Sequence, residues 1–309
     1  PLQFNLDFHA VPFRGKNSDL ENHWVAMSHK GLPSVMTFVA QESTRRVMCY
    51  ATANVVREET DEMVVRFARH WKQRHGHYPG RMLFDSRATT YEYLNELNRL
   101  HVGFITIRRR GAAMIHRVRA LPNSSWSSCQ VTQAKGKRRS VRYLDEEVRL
   151  DGYEGTVRQL VVEGLGHESP TFLLTNDKPE SLTAREVLET YASRNHVEHS
   201  LGEKITFFHL DCLASDVRLN VDFDLTLTTV AALLYHRLAS RLKGFEDATP
   251  YNLFRKFVNT HGRIEIEEKE VVVYFDKRAH NPVLQEGGFD VSTAPVPWLK
   301  RRTVRLVFP

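Results

Sequence analysis

The composition of the chain excludes several protein classes before any motif is considered. The 309 residues are 41% hydrophobic and 26% charged, which is typical of a globular protein large enough to bury one or two cores. The 43 Lys and Arg residues exceed the 37 Asp and Glu residues, and a net charge of +6 favours an anionic partner such as nucleic acid. Three widely separated cysteines provide neither a disulfide framework nor a Cys-x-x-Cys zinc pair. We therefore expect a protein of the reducing cytoplasm.

The most apolar stretch of the chain, residues 225–234, is interrupted by threonines and is followed by His236 and Arg237. A membrane span needs about 20 predominantly apolar residues in succession. The stretch therefore predicts a buried core helix, and we expect no membrane partner. The chain begins at Pro1 and has no basic, apolar leader pattern. We expect an upstream segment of the protein to lie outside this chain.

The first predicted element is a strand over residues 2–10. Its even positions are apolar and its odd positions, including Asp7, are polar, which is the period of a half-buried strand. Asp7 therefore lies on the polar face. Two β-rich runs follow at residues 35–40 and 46–53, and they predict an antiparallel meander of three strands in one sheet.

The next part of the chain predicts a βαβ unit. Apolar residues at helical spacing first indicate a helix over residues 60–74. A short apolar strand, 82–84, then ends abruptly in Asp85. A second helical pattern over 91–100 and a strand over 102–107 complete the unit. Asp85 is thus placed at the carboxyl end of the first strand of that unit.

Residues 108–170 show short alternating runs with glycine-containing turns, which predict a β-rich insertion without a helix. A buried strand is predicted at residues 171–175. Thr183 and Glu186 then match the pattern of a capping box, and the pattern predicts a single helix from there to about residue 201.

Two aspartates are candidates for chemistry because of these positions. Ligands of open α/β sheets collect outside the carboxyl ends of strands, where Asp85 would reach solvent and a metal. The alternative is that Asp85 merely caps the following helix. Asp7 is notable because Asp is depleted in strand interiors, although a solvated position is the alternative. If the first strand is central in the sheet, Asp7 lies beside Asp85.

Glu198 is the third candidate. The apolar stripe of its predicted helix is interrupted by two charged residues, Arg194 and Glu198. A carboxylate that faces a core needs a cation or a metal as its partner. The alternative is a structural ion pair between Arg194 and Glu198 at i,i+4.

Three converging carboxylates repel one another unless divalent cations neutralise them. Mg²⁺, and also Mn²⁺, prefers oxygen ligands. Two such ions about 3.5–4 Å apart activate the attacking oxygen and stabilise the leaving oxygen of a phosphodiester displacement. The chemistry that these residues indicate is phosphoryl transfer on nucleic acid.

The sequence resembles a known family along nearly its whole length. Asp7 lies in "NLDFHAVPF" and Asp85 in "MLFDSRATTY", and "GFITIRRR", "FLLTND", "YASRNHVEHSLGEK", "RAHNPVL" and "PVPWLKRR" follow in order. Together these segments resemble the DDE transposases of the insertion sequence 4 group of bacterial elements. Tyr191, Arg194 and Glu198 match the spacing of the Tyr, Arg, Glu, Lys signature of that group. Lys204 falls one residue earlier than the signature lysine.

The resemblance implies an α/β fold, with an RNase H-like mixed sheet flanked by helices and a β-rich insertion. It implies catalysis and metal binding by Asp7, Asp85 and Glu198, with two Mg²⁺ or Mn²⁺ ions as cofactor. The activity would be cleavage at transposon ends and strand transfer into target DNA. The partners would be double-stranded DNA of both kinds and a second copy of the chain, because two ends must be held together. The compartment would be the bacterial cytoplasm, at the nucleoid.

The same resemblance divides the chain into parts. Residues 1–109 form the first part of the RNase H-like core, 110–170 the β-rich insertion, 171–245 the second part of the core and 246–309 a C-terminal α/β extension. A DNA-binding segment that recognises the transposon ends is expected upstream, outside this chain.

Other residues are expected to contact DNA or to support the site. Tyr191, Arg194 and Lys204 accompany the acids, and basic clusters are suited to contact phosphates without reading sequence. Trp126 in the insertion offers a surface for base stacking, with a buried core position as the alternative. Each cluster is equally compatible with a solvated surface. The clusters comprise Arg108, Arg109 and Arg110, then Lys135, Lys137, Arg138 and Arg139, and finally Lys300, Arg301 and Arg302.

Two competing hypotheses stay open. The first is a DNA-binding protein that derives from a transposase and has lost catalysis. The second is an RNase H-like nuclease that cuts DNA and never joins it. Binding of divalent metal separates the first hypothesis from a transposase, and an assay of strand transfer separates the second.

Overall fold

The alternation of apolar and polar residues at the start of the chain produces strand β1, Gln3–Pro12, in the computed structural model of the protein. The structure describes residues 2–16, 19–25, 28–132, 138–165, 168–212 and 215–309. Phe4 and Leu6 of β1 are fully buried in the main hydrophobic core. The polar residues that alternate with them, Asn5 and Asp7, face the opposite side of the sheet, as the period of two predicts.

The strands and helices of the described chain have the following bounds. The strands are β1 Gln3–Pro12, β2 Asn22–Val25, β3 Lys30–Glu42, β4 Val47–Val55, β5 Arg81–Phe84, β6 Gly103–Ile107, β7 Ser127–Thr132, β8 Arg138–Val148, β9 Val157–Glu163, β10 Thr171–Thr175, β11 Gly262–Ile266, β12 Glu270–Phe275 and β13 Thr303–Val307. The helices are α1 Met63–His75, α2 Tyr91–Arg99, α3 Ala112–Arg119, α4 Ala184–Ala192, α5 Asn195–Thr206, α6 Arg218–Ala239, α7 Pro250–Leu253 and α8 Asn281–Glu286.

Ten strands of the described chain form one mixed sheet. Its order is β2-β3-β1-β5-β6-β10-β9-β8-β7, and β4 pairs with β3. The central strand β1 is antiparallel to β3 and parallel to β5, and β5 is parallel to β6. The predicted α/β class, a mixed sheet accompanied by helices, is therefore confirmed. The predicted meander and the βαβ unit meet along β1 and β5, which brings the strands of Asp7 and Asp85 side by side.

The strands within residues 110–170 continue this sheet. β9 is antiparallel to β10, and β8 and β7 follow in turn. The prediction that this part contains no helix is wrong, because α3 forms directly after Gly111. Met114, Ile115 and Val118 of α3 pack around Phe172. An eight-residue helix offers only two turns of apolar periodicity, which is too little to stand out from the alternating runs beside it.

The predicted single helix from Thr183 to residue 201 is wrong in one respect. The capping box of Thr183 and Glu186 is confirmed, but the helix breaks between α4 and α5. The Ser193 hydroxyl donates to Thr190 O at 2.6 Å, and Asn5 Nδ2 donates to Ser193 O at 3.3 Å. Both bonds engage backbone carbonyls that an uninterrupted helix would use for its own ladder.

Helix α6 differs from the buried helix predicted for residues 225–234. Val221 and Leu225 are buried against β1 and β3 residues, whereas Leu227, Val230 and Leu234 are 49%, 50% and 62% exposed. The apolar residues of this stretch are distributed around the whole helix, so one packed face leaves the others uncovered. No helix in the described ranges is long and apolar enough to cross a membrane.

The chain divides into two compact units. The first comprises Pro1–Ile205 and His209–Thr226, and the second comprises Thr206–Phe208 and Leu227–Pro309. The second unit contains a sheet of three strands in the order β11-β12-β13. Its core is built around Leu242, Leu253 and Phe257. The predicted C-terminal extension, 246–309, falls entirely within this unit.

Candidate active site

Asp7 and Asp85 come from neighbouring parallel strands. The register pairs Asn5 of β1 with Leu83 of β5, and continuing it by two residues sets Asp7 level with Asp85. Asp85 directly follows β5 and caps a short 3₁₀ turn, because its Oδ1 accepts a hydrogen bond from Arg87 N at 2.9 Å. Asp85 therefore caps this turn and not the predicted helix, whose N-cap residue is Thr90, while its other oxygen faces Arg194.

Arg194 joins the three predicted acids. Its Nη2 lies 3.3 Å from Asp7 Oδ1 and 3.9 Å from Asp85 Oδ2, and its Nη1 lies 2.6 Å from Glu198 Oε1. The three acids are far apart in the sequence and are brought together only by folding. The ion pair between Arg194 and Glu198, given above as the alternative, is present, and it forms part of a cluster of four residues. We call Asp7, Asp85, Glu198 and Arg194 the acid cluster.

Exposure increases across the acid cluster from the sheet to the solvent. The side chain of Asp7 is 13% exposed, that of Asp85 35% and that of Glu198 54%. The expectation that Glu198 faces a core is therefore wrong. The break before α5 turns Val197 and Leu201 toward β3 and β4, and Glu198 is left at the rim. One edge of the cluster is accessible to a ligand from solution.

The pKa of Asp7 is raised mainly because its side chain is buried. Burial raises the pKa of Asp7 to about 6 from its ordinary 3.8, although Arg194 and the Phe8 N–H lower it. The Asp85 and Glu198 carboxylates add to the increase by repulsion. Three carboxylates share one guanidinium, so the cluster carries an excess of two negative charges when all four groups are ionised.

Arg194 is itself nearly buried, with 8% of its side chain exposed. Burial opposes its charge, but Tyr191 and the three acids together raise the pKa of Arg194 above its usual value. Its Nε is buried and has no hydrogen-bond partner in the part of the chain that the structure describes. Arg194 therefore stays charged and holds the acids by its two terminal nitrogens.

Tyr191 lies beside the acid cluster, one turn before Arg194. Burial raises the pKa of the Tyr191 hydroxyl, and Asp85 and Glu198 add to the increase against the lowering by Arg194. Tyr191 also packs on the core formed by Val187 and Leu188 of α4. The predicted neighbours Tyr191, Arg194 and Glu198 therefore do come together.

A buried amide network, which sequence inspection missed, fixes the helix break beneath the cluster. Asn5 Nδ2 donates to Gln41 Oε1 and to Ser193 O, each at 3.3 Å. Gln41 Nε2 donates to Ser200 Oγ at 2.6 Å. Asn5 and Gln41 are fully buried. Asn5 lies in the predicted strand 2–10, and Gln41 directly follows the predicted strand 35–40. Their polarity at strand positions beside Asp7 was the available signal, but only the fold shows that they are buried.

A second pair on the same face of β1 was also missed. His9 Nε2 lies 2.6 Å from Asp211 Oδ1, and Asp211 is buried. His9 follows Asp7 by two residues, so both project from the same side of the strand. Nothing in the sequence around Asp211 connects it to β1, because their contact depends entirely on the path of the chain after α5.

Lys204 is not placed with the acids. It is 3% exposed, on the face of α5 that also carries Leu201, and burial lowers its pKa to about 8 while Glu203 raises it. No ion pair links Lys204 to the acid cluster within the described ranges. The one-residue shift from the signature spacing turns this lysine by about 100° around the helix.

The other predicted DNA-contacting residues occupy varied positions. Arg108 is half-buried and donates to Gln159 Oε1 at 2.7 Å, whereas Arg109 is exposed and donates to Ser86 O at 3.1 Å. Arg138 is exposed, Arg139 is half-buried, and Lys137 lies outside the described residues. Among these residues, as far as the structure describes them, Arg109 is the one whose hydrogen bond reaches the segment that follows Asp85.

Trp126 lies in the predicted insertion and is partly buried. It packs with the core around Val118 and Phe172, and the Arg142 guanidinium lies 4.6 Å from its ring centroid. Arg142 in turn pairs with Glu163. The outer face of Trp126 is therefore occupied by a cation rather than open for a base.

Carboxylate oxygens are the ligands that Mg²⁺ and Mn²⁺ prefer, and the three acids supply them with an unbalanced negative charge. The chemistry of the donor set therefore suits a divalent cation. Among the described residues, however, no group of three or more His, Cys, Asp and Glu side chains is arranged so that it could hold a metal ion. In the acid cluster, Arg194 contacts the carboxylates instead.

Comparisons with known proteins returned neither a matching family model nor a matching curated protein.

Proposed function

We propose that this chain is the catalytic core of a DDE transposase, which cleaves DNA at transposon ends and transfers the strands into target DNA. The observation that carries the proposal is the convergence of Asp7, Asp85 and Glu198 on Arg194, at 3.3, 3.9 and 2.6 Å. A purely structural ion pair needs one acid for one arginine. Three acids around one arginine leave the charge deficit that a catalytic cation would fill.

The proposal includes an RNase H-like core. Support comes from the central position of β1, which is antiparallel to β3 and parallel to β5. This arrangement combines the predicted meander and βαβ unit in one sheet and sets Asp7 of β1 level with Asp85, at the carboxyl end of β5. Residues 110–170 would then be an insertion that extends the far side of the sheet through β9.

Asp7, Asp85 and Glu198 would hold two Mg²⁺ or Mn²⁺ ions. Bound there, the ions would activate the attacking oxygen and stabilise the leaving oxygen at phosphorus. Arg194 would orient the carboxylates, because its planar guanidinium contacts all three. Asp7 would release its proton near pH 6, since burial raises its pKa to about that value. Asp7 is therefore better able to bind a cation above that pH.

The DNA partner, the pairing of two copies and the nucleoid location are parts of the same proposal. The formal charge of +6 supports a polyanionic partner. Arg109 supports a DNA path near the acids, because it is exposed and its guanidinium bonds to Ser86 O, directly after Asp85. Two copies would be needed to hold two transposon ends during strand transfer.

The decisive experiment replaces each acid by its amide, as Asp7→Asn, Asp85→Asn and Glu198→Gln. We expect each variant to lose metal-dependent nicking of supercoiled DNA by more than about 100-fold, because changing residues that merely orient metal ligands already costs about 10–100-fold. Exposed acids outside the cluster provide matched controls, Asp151→Asn and Glu180→Gln, and these should keep full activity. Nicking is measured in Mg²⁺ and in Mn²⁺.

The same assay separates the alternatives. Full activity in any of the three amide variants removes that residue from the site. A wild-type chain that binds DNA but neither binds divalent metal nor nicks is a DNA-binding protein. A chain that nicks but fails to join a labelled 3′-hydroxyl end to a plasmid is a nuclease. Either outcome overturns the transposase proposal.

A further inference from the structure

An open cleft of about 270 Å³ is lined by Arg87, which follows Asp85 by two residues, and by no residue of the acid cluster itself. We call it the arginine cleft, because Arg57, Arg87 and Arg109 line it together with Trp24 and Met36. Its volume is below the roughly 300–1,000 Å³ of pockets for drug-sized ligands. The cleft therefore has room for one small polar group and the ring attached to it.

The backbone beside Asp85 positions two of the three arginines. Arg87 N donates to Asp85 Oδ1 at 2.9 Å, while its guanidinium lies 3.4 Å from Met36 Sδ and 6.0 Å from the centroid of the Phe8 ring. Arg109 Nε donates to Ser86 O at 3.1 Å. Two of the cleft's arginines are thus hydrogen-bonded to the segment that begins with Asp85, and Arg87 follows Asp85 by two residues.

None of the three guanidiniums has a carboxylate within 4.0 Å in the described part of the chain. The Arg57 guanidinium donates from Nη2 to Asn22 O, a neutral acceptor, while the Arg57 backbone N–H donates to the Glu21 carboxylate. Elsewhere in the same unit, exposed arginines such as Arg66 and Arg69 do pair with glutamates. Three arginines that share a cleft and pair with no acid have donors left for an anion.

Two further groups indicate that the cleft is electropositive. Asp61 is the only acid among the lining residues, and its carboxylate already accepts a hydrogen bond from the Thr90 hydroxyl. Burial lowers the pKa of His23, and Arg57 and Arg87 lower it further against the opposing effect of Glu21. His23 is therefore neutral near pH 7, and the three arginines outnumber the two nearby acids, Asp61 in the lining and Glu21 beside His23.

Trp24 provides an aromatic surface on the same cleft. Its side chain projects from β2, and the residue is 61% exposed, whereas its neighbours His23 and Val25 are buried. An exposed indole beside arginines is suited to stack on a nucleobase, and the arginines are suited to hold its phosphate.

We infer that the arginine cleft binds a single nucleotide of a DNA strand, with its phosphate among Arg57, Arg87 and Arg109 and its base stacked on Trp24. The inference rests on the proposed function, since the same strand would continue to the acid cluster beside Asp85. The cleft would fix the position of the strand without contacting the bond that is cut.

The test measures binding of a labelled single-stranded 12-nucleotide DNA in EDTA, so that no cleavage occurs. The cleft variant is Arg57→Gln with Arg87→Gln and Arg109→Gln. A control variant carries the same charge change at exposed arginines outside the cleft, Arg74→Gln, Arg119→Gln and Arg149→Gln. We expect the cleft variant to bind at least 10-fold more weakly than the control at 0.1 M salt, and its slope of log affinity against log salt to fall by about 2.

Trp24 is tested separately by fluorescence. We expect the 12-nucleotide DNA to quench part of the tryptophan emission of the wild-type chain, and Trp24→Leu to lose that part and to bind about 5–100-fold more weakly, the range expected for one base stacked on an aromatic side chain. Trp24→Phe keeps a stacking face and should retain most of the affinity. Thermal melts of every variant verify that it is folded.

Three outcomes would overturn the inference. One is that the cleft variant and its control bind DNA equally. Another is unchanged affinity in Trp24→Leu. A third is equal competition by an acidic peptide of matched charge, which would reduce the cleft to an anion patch. These outcomes leave nicking by the acid cluster as a separate result, so either proposal can fail alone. Absence of any DNA binding by the wild-type chain would remove both.

Discussion

At the residue scale, Asp7 is held in a state that weakens the fold. The folded protein keeps its proton up to about pH 6, whereas the unfolded chain releases it near 3.8. The folded state therefore binds more protons in this window, and raising the pH from about 4 to above 6 lowers the free energy of unfolding. A group that costs stability at neutral pH is typical of functional sites, where perturbed pKa values concentrate.

The loss of stability that ionised Asp7 causes at neutral pH predicts the effect of Asp7→Asn. Without divalent metal at pH 8, the substitution should raise the free energy of unfolding by about 1–3 kcal/mol, because it removes a buried charge whose pKa is raised by about two units. At pH 4 the difference should largely disappear, since wild-type Asp7 is then protonated in the folded state. Urea unfolding of the wild type and of Asp7→Asn at both pH values measures this difference in unfolding free energy.

Glu198→Gln is the matched control for that experiment, because Glu198 is more than half exposed and also contacts Arg194. It should change the stability at pH 8 much less than Asp7→Asn does. A destabilised Asp7→Asn variant at pH 8 would mean that Asp7 contributes a favourable ion pair with Arg194 instead of a buried excess charge.

At the element scale, the break between α4 and α5 decides the geometry of the acid cluster. Asn5 and Ser193 hold the break against β1, so that Arg194 points at the acids and Glu198 stays at the rim. A continuous helix would carry the residues after Ser193 in a different direction. The fully buried Asn5 therefore acts on the site through the backbone, without contact to the acids themselves.

We therefore expect Asn5→Ala to affect both stability and activity. Removing its bonds to Gln41 and Ser193 should cost about 1–3 kcal/mol of unfolding free energy, and nicking should fall about 10–100-fold, as for residues that orient metal ligands. Thr183→Ala is the control, because loss of the helix cap costs about 0.5–2 kcal/mol at the far end of α4. It should leave the nicking rate per folded molecule within a few fold. Equal activity in both variants would contradict a positioning role for Asn5.

At the scale of the whole molecule, the net charge supports the proposed polyanionic partner. The excess of basic residues gives +6, and the acids that oppose it include three gathered beside the central strands β1 and β5 of the large sheet. The surface elsewhere is correspondingly more basic than the total suggests. Electrostatic binding to a polyanion should then depend steeply on salt.

Duplex DNA of unrelated sequence provides the test of this property. If about three phosphates are neutralised, affinity should fall roughly 40-fold between 50 and 200 mM salt, since the slope is about −0.9 for each phosphate. The measurement is fluorescence anisotropy in EDTA with a labelled 30-base-pair duplex. Affinity that does not change with salt would exclude phosphate contacts as the main source of binding.

Local sequence patterns predicted the strands and helices of this protein better than they predicted how those elements pack. The alternation around Asp7 produced β1, the apolar run before Asp85 produced β5, and the capping box at Thr183 produced the start of α4. These features depend on near neighbours in the chain, through side-chain period and hydrogen bonds to adjacent backbone. The helix α3 and the break at Ser193 were missed, because short helices and long-range carbonyl contacts leave little periodicity.

Only the tertiary structure decided how the candidate residues meet. The sequence by itself determined the types and order of the three acids, and the family resemblance selected them. The register of β1 and β5, the burial of Asn5 and the orientation of Arg194 depend on contacts between residues up to 188 positions apart. The same contacts bury Lys204 and expose Glu198, against expectation, because the break before α5 determines which side chains of that helix face the sheet.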